Sequence, residues 1–233
     1  MPLFTVENIK KSYLLAEHAT YAINNISCEF EGSKFYCILG PSGSGKSTFL
    51  NILAGLEKPD SGHVFFREQD IYQFKEKEMD DFRRECLGFI FQFYNLIPNL
   101  TVLENVRLTA ELVKEPIPVK SILKSFDIWD KRQKFPNELS GGEQQRVSIA
   151  RAIVKNPDIL LCDEPTGALD SKSGIVVLEL LKELCTKFKK TVIVVTHNSS
   201  ISNMADVTMK FKDGTIDEYK EVQNPISARE VIW

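Results

Sequence analysis

The chain has 233 residues, 43% of them hydrophobic and 26% charged, a balance that suits one globular domain, with or without a subdomain, and excludes fibrous and disordered classes. Lys and Arg number 29 against 32 Asp and Glu, for a net charge of -3. That argues against a protein whose main business is coating nucleic acid, yet it leaves room for a phosphate ligand, which needs only a few local donors.

No apolar run approaches the ~18 residues of a membrane helix, so any membrane role is expected to come through a partner. Met1–Lys11 has no apolar leader segment, so nothing here suggests export. The five cysteines, at 28, 37, 86, 162 and 185, are odd in number, form no C-x-x-C and sit mostly in apolar runs. They are expected to be reduced core thiols of a cytosolic protein.

In chain order, Val6–Ile9, Ile26–Phe30 and Phe35–Leu39 read as short strands, the last running into a glycine-rich turn, and Lys46–Ala54 has helical spacing. From His63 to Arg84 the chain is charged, with short strand signals and then a helix rich in Glu, Asp and Arg, as a solvated face would be. Gly88–Phe91 is a further strand. Pro98, Pro116, Pro118 and Pro136 then punctuate a helical insertion that includes Leu103–Leu112 and Ser121–Phe126. From Glu143 the pattern becomes a regular alternation: helix to about Lys155, strand Ile159–Cys162, helix Gly174–Phe188, strand Thr191–Thr196, a short helix, and a hairpin turning at Asp213–Gly214. Helices alternating with buried strands predict a parallel sheet covered on both faces. Pro225–Trp233 reads as a frayed terminus, with an interaction tail as the other reading.

Gly40-Pro41-Ser42-Gly43-Ser44-Gly45-Lys46-Ser47-Thr48 follows a strand, opens a helix and fits G-x-x-x-x-G-K-[ST]. Glycines let successive backbone N–H groups turn inward around phosphate oxygens, and the helix N-terminus adds unpaired donors and a positive dipole end. Lys46 supplies a point charge for the outer phosphates and Ser47 a hydroxyl for Mg²⁺. A chance match in a chain of this length is about a one-in-a-hundred event, so the segment predicts nucleoside triphosphate binding.

Ile159–Cys162 is an apolar strand ending in Asp163-Glu164, two adjacent acids. Beside a phosphate loop, an Asp in this place suits Mg²⁺ and the following Glu suits a base for the attacking water. Ser140-Gly141-Gly142-Glu143 is a helix cap with an acid in the first turn. A helix start so bare of side chains is also a second phosphate site, one that a neighbouring chain can present to the first chain's nucleotide.

With these motifs together, the sequence resembles the ATP-binding subunits of ABC transporters over almost its whole length. Leu139–Glu143 is similar to the family's signature motif, and Asp163–Asp170 to its Walker B segment and D-loop. The resemblance implies an α/β P-loop NTPase fold with a mixed central sheet, a small antiparallel β subdomain and a helical subdomain. Residues 1–92 and 140–233 would form the catalytic core with the β subdomain, and 93–139 the helical subdomain. It implies ATP and Mg²⁺ as cofactors. Gln92 would be the glutamine that senses Mg²⁺ and the reacting water, and His197 the histidine that contacts the γ-phosphate. Tyr13 would stack on adenine, with Tyr21 as competitor, and Asp170 would lie at the nucleotide edge.

Closer similarity lies with the macrolide-export and lipoprotein-release class, near peptide-resistance exporters. Gly55–Pro59, Phe91–Pro98, Leu103–Val106 and Glu164–Asp170 carry it. That class implies a second ATP-binding chain closing head to tail on two ATP molecules, either a homodimer or a pairing with a near-identical second chain, a separate membrane permease that meets Phe93–Leu96 and the helical insertion, a peripheral place on the cytoplasmic face of the membrane, and no nucleic-acid partner. Two features depart from it: the insertion is somewhat shorter and broken by Pro116 and Pro118, and Glu143 stands where many members have Gln. Two rival readings are an ATP-driven switch that signals through a membrane partner without transport, and an ABC ATPase of DNA repair or translation, for which the chain is short.

Overall fold

The computed structural model describes residues 2–15 and 18–232. Two sheets and six helices organise them. Strands β1 (Phe4–Leu15), β2 (His18–Phe30), β4 (Ser61–Phe66) and β5 (Gln69–Asp70) make an antiparallel sheet in the order β2-β1-β4-β5. Strands β3 (Phe35–Leu39), β6 (Leu87–Ile90), β7 (Ile159–Asp163), β8 (Thr191–Thr196), β9 (Val207–Lys212) and β10 (Thr215–Glu221) make the second, in the order β10-β9-β3-β8-β7-β6. Five of these run parallel, and β10 returns antiparallel on β9 through the Asp213–Gly214 turn, so the sheet is mixed.

The central strands β3, β7 and β8 are buried on both faces because each alternates between two cores, whereas β9 buries one face and β10 is mostly exposed. Tyr36, Ile38, Ile159, Leu161, Ile193 and Val195 point to one side, where β1, β2, β4 and helix α1 (Lys46–Leu53) close over them. Phe35, Cys37, Leu160, Cys162, Val192 and Val194 point to the other, under α5 (Gly141–Ile153) and α6 (Ser171–Thr186). The insertion helices α3 (Val102–Ala110) and α4 (Val119–Ser125) bury Val102, Val106, Ile122 and Leu123 in that second core, against α5. Helix α2 (Glu76–Glu85) is mostly exposed and buries Phe82 alone. Among the described residues no helix is long and apolar enough to cross a membrane.

Three expectations need correction. The first two strands are far longer than four or five residues, since their polar middles pair with each other as a hairpin. Helix α6 starts three residues before Gly174, because Asp170 caps it. The segment from Pro225 is not frayed over its described length: Ala228 and Val231 are buried and Ile226 donates its N–H to the Asn203 carbonyl at 2.9 Å. Trp233 lies outside the described residues.

Candidate nucleotide site

The glycine turn between β3 and α1 shapes the site. Gly45 caps α1 with φ +98°, and a Cβ there would lie 2.0 Å from the Ala22 carbonyl oxygen on β2. Only glycine fits that approach, which locks the loop against the antiparallel sheet. No acidic side chain and no side-chain cap occupies the first turn of α1. Its open N–H groups and dipole therefore face a cleft of about 640 Å³ lined by Ser42, Gly43, Gly45, Lys46, Ser47, Thr48, Gln92, Asp163, Glu164, His197 and Ala22.

Inside the loop Lys46 is buried, and its Nζ donates to the carbonyls of Gly40 and Pro41 at 2.8 Å and to Ser44 Oγ at 3.4 Å. Burial pushes its pKa down, while Glu164 and Asp163 nearby pull it up. Ser47 Oγ donates to Asp163 Oδ1 at 3.1 Å. Burial, helped by the neighbouring Glu164 charge, raises the Asp163 pKa against the lowering effects of that hydrogen bond and of Lys46. An octahedral Mg²⁺ with bonds of about 2.0–2.1 Å has neighbouring oxygen ligands about 2.9 Å apart. The spacing of Ser47 and Asp163 fits one edge of such an octahedron.

Directly after β7, Glu164 adopts φ +48°, left-handed backbone that a non-glycine residue rarely takes, and its N–H pairs with the Val195 carbonyl at 3.0 Å. The turn swings the carboxylate to the end of β8. There Oε1 meets His197 Nδ1 at 3.0 Å and Oε2 accepts from Thr196 Oγ1 at 3.4 Å. The result is a carboxylate and an imidazole joined at the cleft mouth, with the lysine and the Ser–Asp pair below. Such a set can hold polyphosphate, a hard cation and the proton of an attacking water.

The remaining expected residues lie around this centre. Gln92 faces the cleft with its amide against Gly167, where an added Cβ would stand 2.9 Å from Nε2. Gly40, Pro41 and Ser44 form the back of the loop, tied to Lys46. Tyr13 lines none of the cleft, but its hydroxyl bonds to Glu57 and comes within 3.5 Å of Thr48 Oγ1, beside the cleft. Tyr21 is more exposed, 55% against 40%. Asp170 is occupied as the N-cap of α6, accepting from Ser173 N at 3.0 Å and Ser173 Oγ at 2.8 Å.

Ser140, Gly141, Gly142 and Glu143 also line none of this cleft. They open α5, where the Ser140 N–H donates to Glu143 Oε2 at 2.9 Å and the Glu143 N–H to Ser140 Oγ at 3.4 Å. Sequence reasoning missed Ala22, Thr196 and Lys131, the last of which ion-pairs with Glu143. Thr196 adjoins an expected residue, but Ala22 reaches the cleft, and Lys131 the start of α5, only through tertiary folding, and neither leaves a local signal.

A family model described as ABC transporter matches residues 23–167. The lipoprotein-releasing system ATP-binding protein LolD of Desulfotalea psychrophila is 39% identical over 223 residues, covering 94% of this chain and 100% of that protein. The macrolide export ATP-binding/permease protein MacB of Campylobacter fetus is 42% identical over 222 residues, covering 92% of this chain and 34% of its own length. The chain likewise spans 50% of a Mycoplasma pneumoniae ABC transporter ATP-binding protein that it matches at 38% identity over 99% of its own residues. Among solved structures, the dimeric ATP-binding cassette MJ0796 of Methanocaldococcus jannaschii, in a post-hydrolysis state bound to ADP and Pi, superposes with a TM-score of 0.86 at 38% identity, covering 95% of this chain and 99% of that one.

Proposed function

The chain belongs to the ABC transporter family as an ATP-hydrolysing, ATP-binding subunit, and from that premise we propose how its residues divide the reaction and what the reaction drives. Lys46 leaves the Gly40 and Pro41 carbonyls for the outer phosphates of ATP, and the α1 amides hold the rest. Ser47 and Asp163 would hold Mg²⁺, and Gln92, which lines the same cleft, would sense it. When bound, that ion neutralises charge on the phosphate oxygens and fixes their direction. Glu164 accepts a proton as water attacks the γ-phosphorus and the bond to the β-phosphate oxygen breaks. His197, held by Glu164, donates a hydrogen bond to the departing phosphoryl oxygens. Tyr13 stacks on the adenine. The observation that carries this reading is the Glu164–His197 contact of 3.0 Å at the mouth of the cleft that holds Lys46 and the Ser47–Asp163 pair.

Ser140, Gly141 and Gly142 present the donors at the start of α5 to the nucleotide of a second copy, with Glu143 in the first turn and Asp170 at the edge. Two observations support this: these residues stand apart from the chain's own cleft, and the M. jannaschii cassette is described as dimeric. Closure on ATP and release on hydrolysis then work a membrane permease from its cytoplasmic face. The expected work is export of an antimicrobial peptide, drug or lipoprotein; the relatives' names, lipoprotein-releasing system and macrolide export, support the lipoprotein and drug classes.

The test is Glu164→Gln. It should leave ATP affinity near the parent value, cut turnover by about 10²–10⁴-fold, and trap an ATP-dependent dimer visible by size-exclusion chromatography. Turnover at the parent rate would refute the base assignment.

A further inference from the structure

We propose that Lys131 is a positioning residue for the ATP-bound dimer: it neutralises Glu143, so that the N-terminus of α5 accepts a neighbour's triphosphate. The inference rests on the proposal that Ser140–Glu143 acts on a second copy's nucleotide. Glu143 occupies the third position of α5, and one carboxylate oxygen holds the Ser140 N–H at 2.9 Å. In the free chain this completes a capping box and stabilises the helix start. For an incoming polyphosphate the same carboxylate is a like charge beside the very donors the phosphate needs.

The other carboxylate oxygen of Glu143 is taken by Lys131 Nζ. The Lys131 side chain is 42% exposed, but its backbone is fixed. It ends the 3-10 turn Trp129–Lys131, and the next residues are stitched to α3, where the N–H groups of Leu103 and Val102 donate to the carbonyls of Arg132 and Lys134 at 2.9 Å. The Trp129 ring carries the Arg132 guanidinium at 4.6 Å and the Lys120 ammonium at 5.6 Å from its centroid. Glu143 is mostly buried, its side chain 16% exposed, so solvent screens its charge poorly and the ammonium supplies the compensation. Through this contact the helical insertion sets the charge of the dimer edge.

The experiment compares ATP-driven dimerisation of Glu164→Gln with Lys131→Gln, Lys131→Arg and Lys131→Gln/Glu143→Gln added to it, by analytical ultracentrifugation in saturating Mg-ATP. Lys131→Gln should weaken the dimer about tenfold or more, Lys131→Arg should leave it close to the parent, and the double change should restore most of the loss, since a neutral amide at position 143 has no charge to cancel. A merely structural lysine would not be rescued by changing its partner. The inference is overturned if Lys131→Gln dimerises like the parent, or if Glu143→Gln fails to rescue it. A Glu164→Gln parent that stays monomeric overturns the second-copy reading and this inference with it, whereas an unresponsive but dimeric parent overturns this inference alone.

Discussion

Glu164 sits at φ +48° because β7 must end there, pair once more with Val195, and still aim its carboxylate at His197 rather than along the sheet. The next turn, closed by the Gly167 N–H donating to the Glu164 carbonyl at 3.0 Å, brings Gly167 under Gln92. A Cβ at 167 would stand 2.9 Å from Gln92 Nε2, the far end of a flexible side chain, so Gln92 yields and the backbone does not. Gly167→Ala should therefore leave the melting temperature within about 1–2 °C of the parent, as for an exposed substitution, while lowering kcat several-fold at near-constant KM. Steady-state ATPase assays with a thermal melt check both halves; an unchanged kcat refutes the Gln92 role. Much of this geometry is legible in the sequence. Lys46, Ser47, Asp163, Glu164, Gln92 and His197 are all expected to meet, and they line one cleft. What the sequence leaves open is who holds whom: Glu57 on Tyr13, Thr196 on Glu164 and Lys131 on Glu143 are pairings made only by the fold.

Elements are legible where burial is two-sided and obscure where it is not. Strands β3, β7 and β8 are continuous apolar runs, and their bounds agree with the sequence expectation within a residue. The β1–β2 hairpin shows in the sequence only at its apolar ends. Its register slips between Val6 and Ile9, between Ile9 and Lys10 and between Lys11 and Ser12, with Asn8 and Asn25 left-handed, and each slip breaks the two-residue alternation that marks a strand. Helix α5 is legible too, but the fate of the lysine beyond its end is not. Lys155 is folded under α2 and donates to the Arg83 carbonyl at 2.9 Å, and burial pushes its pKa from 10.5 down to about 8. The unfolded chain thus binds the proton more tightly than the folded one between about pH 8 and 10.5, and stability rises with pH through that window. Below it the whole cost of the buried charge is present. Lys155→Met should therefore gain about 1–2 kcal/mol at pH 7, after loss of the Arg83 hydrogen bond, and that gain should shrink toward pH 10. Urea midpoints at the two pH values decide it; a gain that does not depend on pH would mean that packing, not charge, is responsible.

At the scale of the whole molecule, the last described segment acts as a strap across elements that carry the site. After β10, the Val222 N–H returns to the Asp206 carbonyl at 2.9 Å, and Ile226 ties to Asn203 in the turn Ser199–Met204, which comes just after His197. Ala228 and Val231 then enter the core above α6, whose N-cap is Asp170, and Arg229 pairs with Glu179 on the exposed side of that helix. One stretch of chain thus fixes the histidine loop to the helix that leaves the Asp163–Asp170 turn. Removing it from Pro225 onward would uncover the apolar surface it covers on α6, and losing three partly to fully buried apolar side chains costs about 2–4 kcal/mol. The ion pair, mostly solvated, adds little. A chain ending at Asn224 should still fold around its two cores, unfold at a lower urea concentration by that margin, and bind ATP more weakly, because the His197 loop loses its anchor. Point changes in the full chain separate the apolar contacts from the ion pair: Arg229→Ala should leave stability and affinity near the parent, whereas Val231→Asp should reproduce most of the truncation. Equal midpoints for the truncated and full chains would show that the strap rests on the core without supporting it.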